Sequence, residues 1–421
     1  MAIQYVIAGN GAAGVAAVEA IRVVDPQGRI CVASAEPGPA YSRVLLHHLL
    51  AGEIAEGGMV IRDMSFYRRM GVHLIHGAVE GVDAAAQRVY LSRGQQLPYD
   101  RLLIATGARS IKPPVPGMDH PRVHCLWTAE DARALTALAR GCRRAVVIGA
   151  GFVGIQAADA LSARGAHIAL VDVAERPLPL LLDADAGSMV SAHLQRRGVD
   201  LWTSTSAVRV ENGAGGHATV HLSDGTIVEA DLVVVATGAR PNVEFMESTG
   251  ARMARGIVVD SAMRTSLPNV YAAGDVTITK DMVTGQPVNC AIWPEAVEQG
   301  RIAGLNMAGR QIAYQGSLRI NVTNALGLLA GSVGLSDESG AIVSRVSRDD
   351  RRGIYRRLFF REAALVGAML VGDVSDLGIL ACLIRRGSDL SRCIERVVAS
   401  PLSYPHLFGV VRRLNWESVS T

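Results

Sequence analysis

Two glycine clusters carry the residue types most able to do chemistry. Residues 5 to 36 read YVIAGNGAAGVAAVEAIRVVDPQGRICVASAE. An apolar run ends at Gly9, Gly11 and Gly14, a helical Ala/Val segment follows, and a second apolar run ends near Glu36. In such a strand–turn–helix–strand unit the first glycine makes a tight turn, the second lets a pyrophosphate approach the backbone, and the third lets helix and strand pack closely. The helix N-terminus offers N–H groups to phosphate. An acid at the end of the second strand can accept both hydroxyls of an adenosine ribose. The pattern returns in residues 145 to 172, AVVIGAGFVGIQAADALSARGAHIALVD, with Gly149, Gly151, Gly154 and Asp172 in the same places. Two dinucleotide sites are therefore expected. Their separation along the chain suggests two different dinucleotides, read as FAD first and a nicotinamide nucleotide second.

The elements that must position these residues repeat as well. LLIATGAR (102–109) and LVVVATGARP (232–241) are matching apolar strands that each end in a Thr–Gly pair, Thr106–Gly107 and Thr237–Gly238. A β-meander is expected over 79–100 and another over 199–227, with turns at Asn212–Gly213 and Asp224–Gly225. Helices are expected over 59–70, 128–139 with Thr128 as cap, and 180–197. The strand Val270–Ala273 delivers Gly274–Asp275, and a helix is expected from Pro294 to Met307. Beyond about residue 316 the pattern changes to antiparallel strands over 343–370, then helices over 377–384 and 390–398.

Composition narrows the field. The 421 residues are too many for one core, so two or three domains are expected. Hydrophobic residues make up 49% and charged residues 19%, as buried parallel strands require. A net charge of +3 does not point to nucleic acid. The six cysteines, Cys31, Cys125, Cys142, Cys290, Cys382 and Cys393, form no CxxC or CxxxxC, which argues against a disulfide framework, a zinc site or an iron–sulfur cluster. No apolar run reaches the length of a membrane span and no signal peptide is read at the N-terminus, so the cytoplasm is the expected location.

Two GxGxxG units, two ATG strands and a late YAAGD, in this order, resemble the FAD- and NAD(P)-dependent pyridine-nucleotide oxidoreductases. AYSRVLLHHLLAGE is most similar to the branch holding rubredoxin and ferredoxin reductases, NADH oxidases and the flavin part of NADH-nitrite reductase. The C-terminal YRRLFF and ALVGAMLVGD also resemble the flavoprotein subunits of multisubunit 2-oxoacid oxidoreductases. The resemblance implies an α/β fold with two Rossmann-like dinucleotide-binding domains, the NAD domain inserted in the FAD domain, plus a C-terminal α+β interface domain. The implied limits are 1–113 and 240–315 for FAD, 114–239 for NAD and 316–421 for the last.

Position by position, the resemblance implies that Gly9, Gly11, Gly14 and Glu36 hold the adenosine diphosphate half of FAD. Arg43 would lie near the pyrophosphate, Thr106 and Gly107 would pass beside the cofactor, and Asp275 would accept a ribityl hydroxyl with Gly274 allowing close approach. Trp293, Pro294 and Glu295 would sit near the pyrimidine edge of the flavin, where the helix dipole favours the negative charge of the reduced ring. Gly149, Gly151, Gly154, Asp172 and Gly238 would hold the nicotinamide nucleotide. Asp172 favours NAD over NADP because a carboxylate repels a 2′-phosphate; Arg176 lies close by.

Two departures stand out. Gln156 replaces a glutamate of many relatives close to the nicotinamide. His48 stands where the branch often has lysine near the flavin, with His47 beside it, and could move a proton near neutral pH. The resemblance also implies redox-active thiols in some members, yet no cysteine lies between Cys31 and Cys125. The implied function is electron transfer between NAD(H), FAD and a ferredoxin-like iron–sulfur protein or subunit, in a hetero-oligomer or a homodimer and within a 2-oxoacid dehydrogenase complex. Alternatives are a stand-alone reductase or NADH oxidase, or a non-enzymatic flavin-binding scaffold. Arg345, Arg348, Arg351, Arg352, Arg356, Arg357, Arg361, Arg385 and Arg386 suggest a basic face for an acidic partner.

Overall fold

Register along one parallel sheet brings distant segments of the chain to a common edge. In the computed structural model, which describes residues 2–338, 340–399, 401 and 402, the order of that sheet is Val270–Ala272, Arg101–Ile104, Gln4–Ala8, Arg29–Ser34 and Val72–His76. All neighbours run parallel. Ala8 pairs with Ala33 on one side and Ile104 on the other, and Ile104 pairs in turn with Ala272. The Gly9 turn, the approach to Glu36, the Thr106–Gly107 turn and Gly274 thus emerge together at the carboxyl edge, where open α/β sheets bind ligands.

The chain divides into two compact units. The first comprises the residues up to Lys112, Cys125–Ala137 and Gly238–Ser317. Tyr5, Val6, Ile7 and Ala8 of its central strand are fully buried, and the helix Ala12–Val24 packs on the sheet through Ala13, Val15, Ala17, Val18 and Ile21. The meander is present as Val79–Asp83, Arg88–Leu91 and Gln96–Pro98. The helix expected over 59–70 is shorter, Met64–Arg69, because the Asp63 carboxylate caps it by accepting the Phe66 N–H at 3.0 Å.

The second unit comprises Pro113–His124, Leu138–Thr237 and the chain from Leu318 on. Four parallel strands of its sheet follow the order Asp200–Trp202, His167–Val171, Arg144–Ile148 and Leu232–Val235. Asp200–Trp202, expected in a meander, joins this sheet instead, and the meander starts at Ala207. The helix expected from 180 begins at Ala184, capped by Asp183, which accepts the Ala186 N–H at 2.8 Å. The same carboxylate accepts the Tyr355 hydroxyl at 2.6 Å and the Arg357 guanidinium at 2.9 Å. It thereby ties the nucleotide-type sheet to a five-stranded antiparallel sheet ordered Ile320–Ala325, Leu328–Gly334, Ala364–Val371, Ile354–Arg361 and Ile342–Asp349. Helix Leu377–Arg386 covers this sheet. No helix among the described residues is long and apolar enough to cross a membrane.

Candidate functional site

At the carboxyl edge of the first unit each glycine has a separate reason. Gly9 has φ +124°, and a Cβ there would come within 2.0 Å of the Ala105 carbonyl oxygen. A Cβ on Gly14 would come within 2.1 Å of the Gly9 carbonyl oxygen. Around Gly11 nothing lies within 4 Å of a Cβ position, so its backbone faces open space. Gly11 caps helix Ala12–Val24 with no side-chain hydrogen bond, and no acid occupies the first turn. That end therefore carries the uncompensated positive pole that suits a phosphate. Asn10, which the sequence reading passed over, pins the turn: its side chain donates to the Gly38 carbonyl and accepts the Tyr67 hydroxyl at 2.8 Å.

Glu36 accepts the Tyr41 hydroxyl at 2.6 Å and pairs with Arg43, which also donates to the Trp127 carbonyl. Arg43 is therefore partly engaged by the protein itself. Thr106 donates its hydroxyl to the Asn242 carbonyl at 2.7 Å, and Asn242 returns an amide hydrogen bond to the Thr106 carbonyl at 3.0 Å. The Thr106–Gly107 turn is left to face the site with backbone alone.

Three elements converge on Gly274, which has φ +82°. A Cβ there would stand 3.4 Å from Ala13 Cβ, in the first turn of one helix, and 3.6 Å from Ala296 Cβ, in the first turn of helix Trp293–Met307. The two helices pack tightly because Gly300 and Gly304 admit the carbonyls of Ala13 and Ala17. Asp275 follows at this meeting of two helix N-termini. Its carboxylate makes no hydrogen bond among the described residues, and burial pushes its pKa up against the opposing pull of Arg43. An unpartnered, partly buried carboxylate beside two positive helix ends fits a ligand rich in hydroxyl and phosphate groups.

Helix Trp293–Met307 carries Pro294 in its first turn and no side-chain cap. Trp293 and Pro294 remain accessible. The Glu295 side chain, in contrast to Trp293 and Pro294, is 2% exposed and turns inward to take the Tyr314 hydroxyl. His48 lies on the short helix Leu46–Ala51 with Nδ1 2.5 Å from a Glu53 carboxylate oxygen. The Glu53 contact occupies Nδ1, and the side chain is 39% exposed. Its neighbour His47 stacks on it at 4.0 Å, and burial together with the adjacent imidazole lowers the His47 pKa to about 4.

The second glycine turn, in the other unit, repeats the first. Gly149 has φ +108°, with a Cβ contact of 2.4 Å to the Ala236 carbonyl oxygen, and Gly154 would meet the Gly149 oxygen at 1.8 Å. Gly151 is open. Asp172 accepts backbone N–H groups from Ala150 and Ala174, which aims its carboxylate across the turn and leaves lone pairs for a ribose. Gln156 sits half-buried on helix Phe152–Ala163, its amide without a hydrogen bond among the described residues. Arg176 is drawn away: its stem covers Gly187 and its Nε donates to the Leu182 carbonyl at 3.1 Å. Gly238 belongs to the first unit, at φ +112°, where its carbonyl accepts the Ile111 N–H.

The basic C-terminal face is smaller than the arginine count suggested. Arg356 is 3% exposed and forms a bidentate pair with Asp376, and Arg357 is committed to Asp183 and Glu338. No group of three His, Cys, Asp or Glu among the described residues could hold a metal ion.

A paired set of glycine turns, each with an acid at the next strand, fits two dinucleotides, and the chain's likeness to known proteins makes it an NAD(H)-dependent flavin oxidoreductase. The chain belongs to the pyridine nucleotide-disulphide oxidoreductase family, whose model matches residues 3–300; the model for the rubredoxin NAD+ reductase C-terminal domain matches 320–388. It uses FAD and NAD(H). It is 35% identical over 406 residues to the NADH-dependent phenylglyoxylate dehydrogenase subunit epsilon of Aromatoleum evansii, covering 95% of this chain and 96% of that one. It is 30% identical to the assimilatory nitrate reductase electron transfer subunit of Bacillus subtilis, covering 96% of this chain and 52% of that protein. Among solved structures, the reductase of the putidaredoxin reductase–putidaredoxin complex superposes with a TM-score of 0.85 at 25% identity, covering 92% of this chain and 94% of that one.

Proposed function

We propose that this chain passes electrons between NAD(H) and FAD and exchanges them with a ferredoxin-like iron–sulfur partner, as the NAD-linked subunit of a 2-oxoacid dehydrogenase of the phenylglyoxylate type. The observation that carries the reading of the site is Asp275, an unpartnered carboxylate where two helix N-termini meet. The full-length likeness to a phenylglyoxylate dehydrogenase subunit supports the complex. FAD, when bound, would exchange an electron pair with NAD(H) and single electrons with the iron–sulfur partner, the flow running from partner to NAD+ in a 2-oxoacid dehydrogenase and from NADH to partner in a stand-alone reductase. In this reading the chain supplies position and electrostatics. Gly9, Gly11 and Gly14 let the pyrophosphate meet the first helix, Glu36 takes the adenosine ribose, and Arg43, Thr106 and Gly107 line the path. Gly274 and Asp275 receive the ribityl chain. The helix at Trp293 and Pro294 puts its positive end beside the ring, with Glu295 serving through its backbone. His48, its tautomer held by Glu53, relays a proton. Residues up to 113 with 240–315 form the FAD domain and 114–239 the NAD domain, except that Cys125–Ala137 and Gly238 group with the first compact unit, and Gly149, Gly151, Gly154, Gln156 and Asp172 receive NAD(H). Residues 316–421, of which 339, 400 and 403–421 lie outside the described residues, form the interface domain, and the whole works in the cytoplasm.

A ferredoxin reductase acting alone is the second reading, favoured by the likeness to the putidaredoxin reductase structure. Anaerobic stopped-flow absorbance at the oxidised-flavin band tests the hydride site that both readings share. Bleaching by NADH, far faster than by NADPH, is expected. No bleaching by either nucleotide sinks the reading. Steady NADH consumption in air without a partner points to an oxidase instead.

A further inference from the structure

The flavin-side turn Gly274–Thr277 is held by an amide from the neighbouring helix. Gln299, on Trp293–Met307, is fully buried. Its Oε1 accepts the Gly274 N–H at 2.8 Å and lies 2.8 Å from the Thr277 hydroxyl, which is also 2.8 Å from the Gly274 carbonyl. Its Nε2 points to the Tyr314 hydroxyl at 3.4 Å, and Tyr314 in turn donates to Glu295. The amide orientation is dictated by chemistry: a backbone N–H can only be met by the oxygen end. On the opposite side Asn289 donates to the carbonyls of Asp275 and Thr277, both at 2.8 Å. The turn is therefore held by two amides, and among the described residues no other side chain accepts the Gly274 N–H.

Gln299 lies in the second turn of helix Trp293–Met307, one turn in from the N-terminal end that faces the flavin in this reading. The same rigid helix thus sets both the dipole end at Trp293–Pro294 and the position of Asp275. We propose that Gln299 is a positioning residue for FAD: it locks Asp275 in register with the helix N-terminus, without touching the cofactor. Sites of this kind tolerate displacements of only a fraction of an ångström. The inference rests on the reading that Asp275 meets the cofactor.

The experiment is FAD titration of the apoprotein, followed by flavin fluorescence, for Gln299→Met, Gln299→Glu, Thr277→Val, Asp275→Ala and the double variant Q299M/D275A, with apoprotein melting measured for each. Gln299→Met loses the acceptor and leaves the Gly274 N–H unmet, so the Kd for FAD is expected to rise on the order of tenfold or more. Gln299→Glu, read at pH 6, keeps an acceptor oxygen and restores most of the affinity. Thr277→Val, nearly isosteric, gives a smaller loss in the same direction and guards against a Q299M variant that fails to fold. Because Gln299 acts through Asp275, Q299M adds little in the D275A background. Unchanged FAD affinity in Q299M and T277V, with D275A weakened, overturns the role of Gln299 alone. Unchanged affinity in D275A overturns the site reading and with it this inference. Equal, additive losses in both backgrounds that follow the melting temperature assign Gln299 to general packing and overturn the proposal.

Discussion

At His47 the fold sets burial against ionisation. The ring is partly buried against His48, and both effects favour the neutral imidazole, lowering its pKa to about 4. An unfolded histidine titrates near ~6.5. Between these values the unfolded chain binds a proton that the folded chain refuses, so stability present above about pH 6.5 declines as pH falls toward 4. Urea midpoints of the holoprotein at pH 7.5 and 4.5 are expected to differ less in His47→Asn than in the parent. An equal shift in both removes His47 from the acid sensitivity. At this scale the two glycine turns, and the placement of Glu36 and Asp172 just past the next strand, were legible, because the motif ties residue type to backbone geometry. Asn10, Asn242 and Gln299 were not, since an amide that satisfies a distant turn leaves no periodic mark in the chain.

Among elements, helices Ala12–Val24 and Trp293–Met307 pack closely. Adding a Cβ at Gly300 would bring it 2.1 Å from the Ala13 carbonyl oxygen, so even alanine must push the helices apart. Gly300→Ala is expected to cost roughly 1–3 kcal/mol, the range for overpacking a filled interface, and to weaken FAD binding as the two helix ends separate. The control is Gly378→Ala, inside helix Leu377–Arg386 with nothing within 4 Å of a Cβ. It should be neutral or gain about 0.4–1 kcal/mol from reduced unfolded-state entropy. Equal effects of the two substitutions on thermal melting and FAD affinity reject the close-packing argument. Helix existence at 294–307 followed from Pro294 and apolar spacing, whereas its partner did not. GRIAG reads as an ordinary interruption until the first helix lies against it.

In the molecule as a whole, the C-terminal sheet is held by charge inside its own core. The Arg356–Asp376 pair is bidentate, and it is extended by the Val397 carbonyl accepting from Arg356 and the Leu402 N–H donating to Asp376. Side-chain exposures are 3% and 0%. Arg356→Met strands a buried carboxylate and is expected to destabilise by about 3–5 kcal/mol, whereas the double variant with Asp376→Leu recovers much of the loss. Chemical denaturation of the two variants checks this. A single variant as stable as the parent shows that the pair is not needed. The arginine count alone placed Arg356 and Arg357 on an open basic face; burial and pairing remove them from it.

The sequence by itself determined the two dinucleotide units, their order, the repeated ATG strands and the absence of a cysteine pair beside the first glycine turn. Those features are local, and backbone sterics or spacing enforce them within a few residues. Only the tertiary structure decided which residues share an edge. The register Ala8–Ile104–Ala272 brings Gly274 to Gly9 across more than half the chain, and two glycines on a remote helix let its positive end reach the same point. Glu295 turned inward and Arg356 became buried for the same physical reason. A charged side chain goes where a partner compensates its desolvation, and those partners, Tyr314 and Asp376, are supplied by the fold.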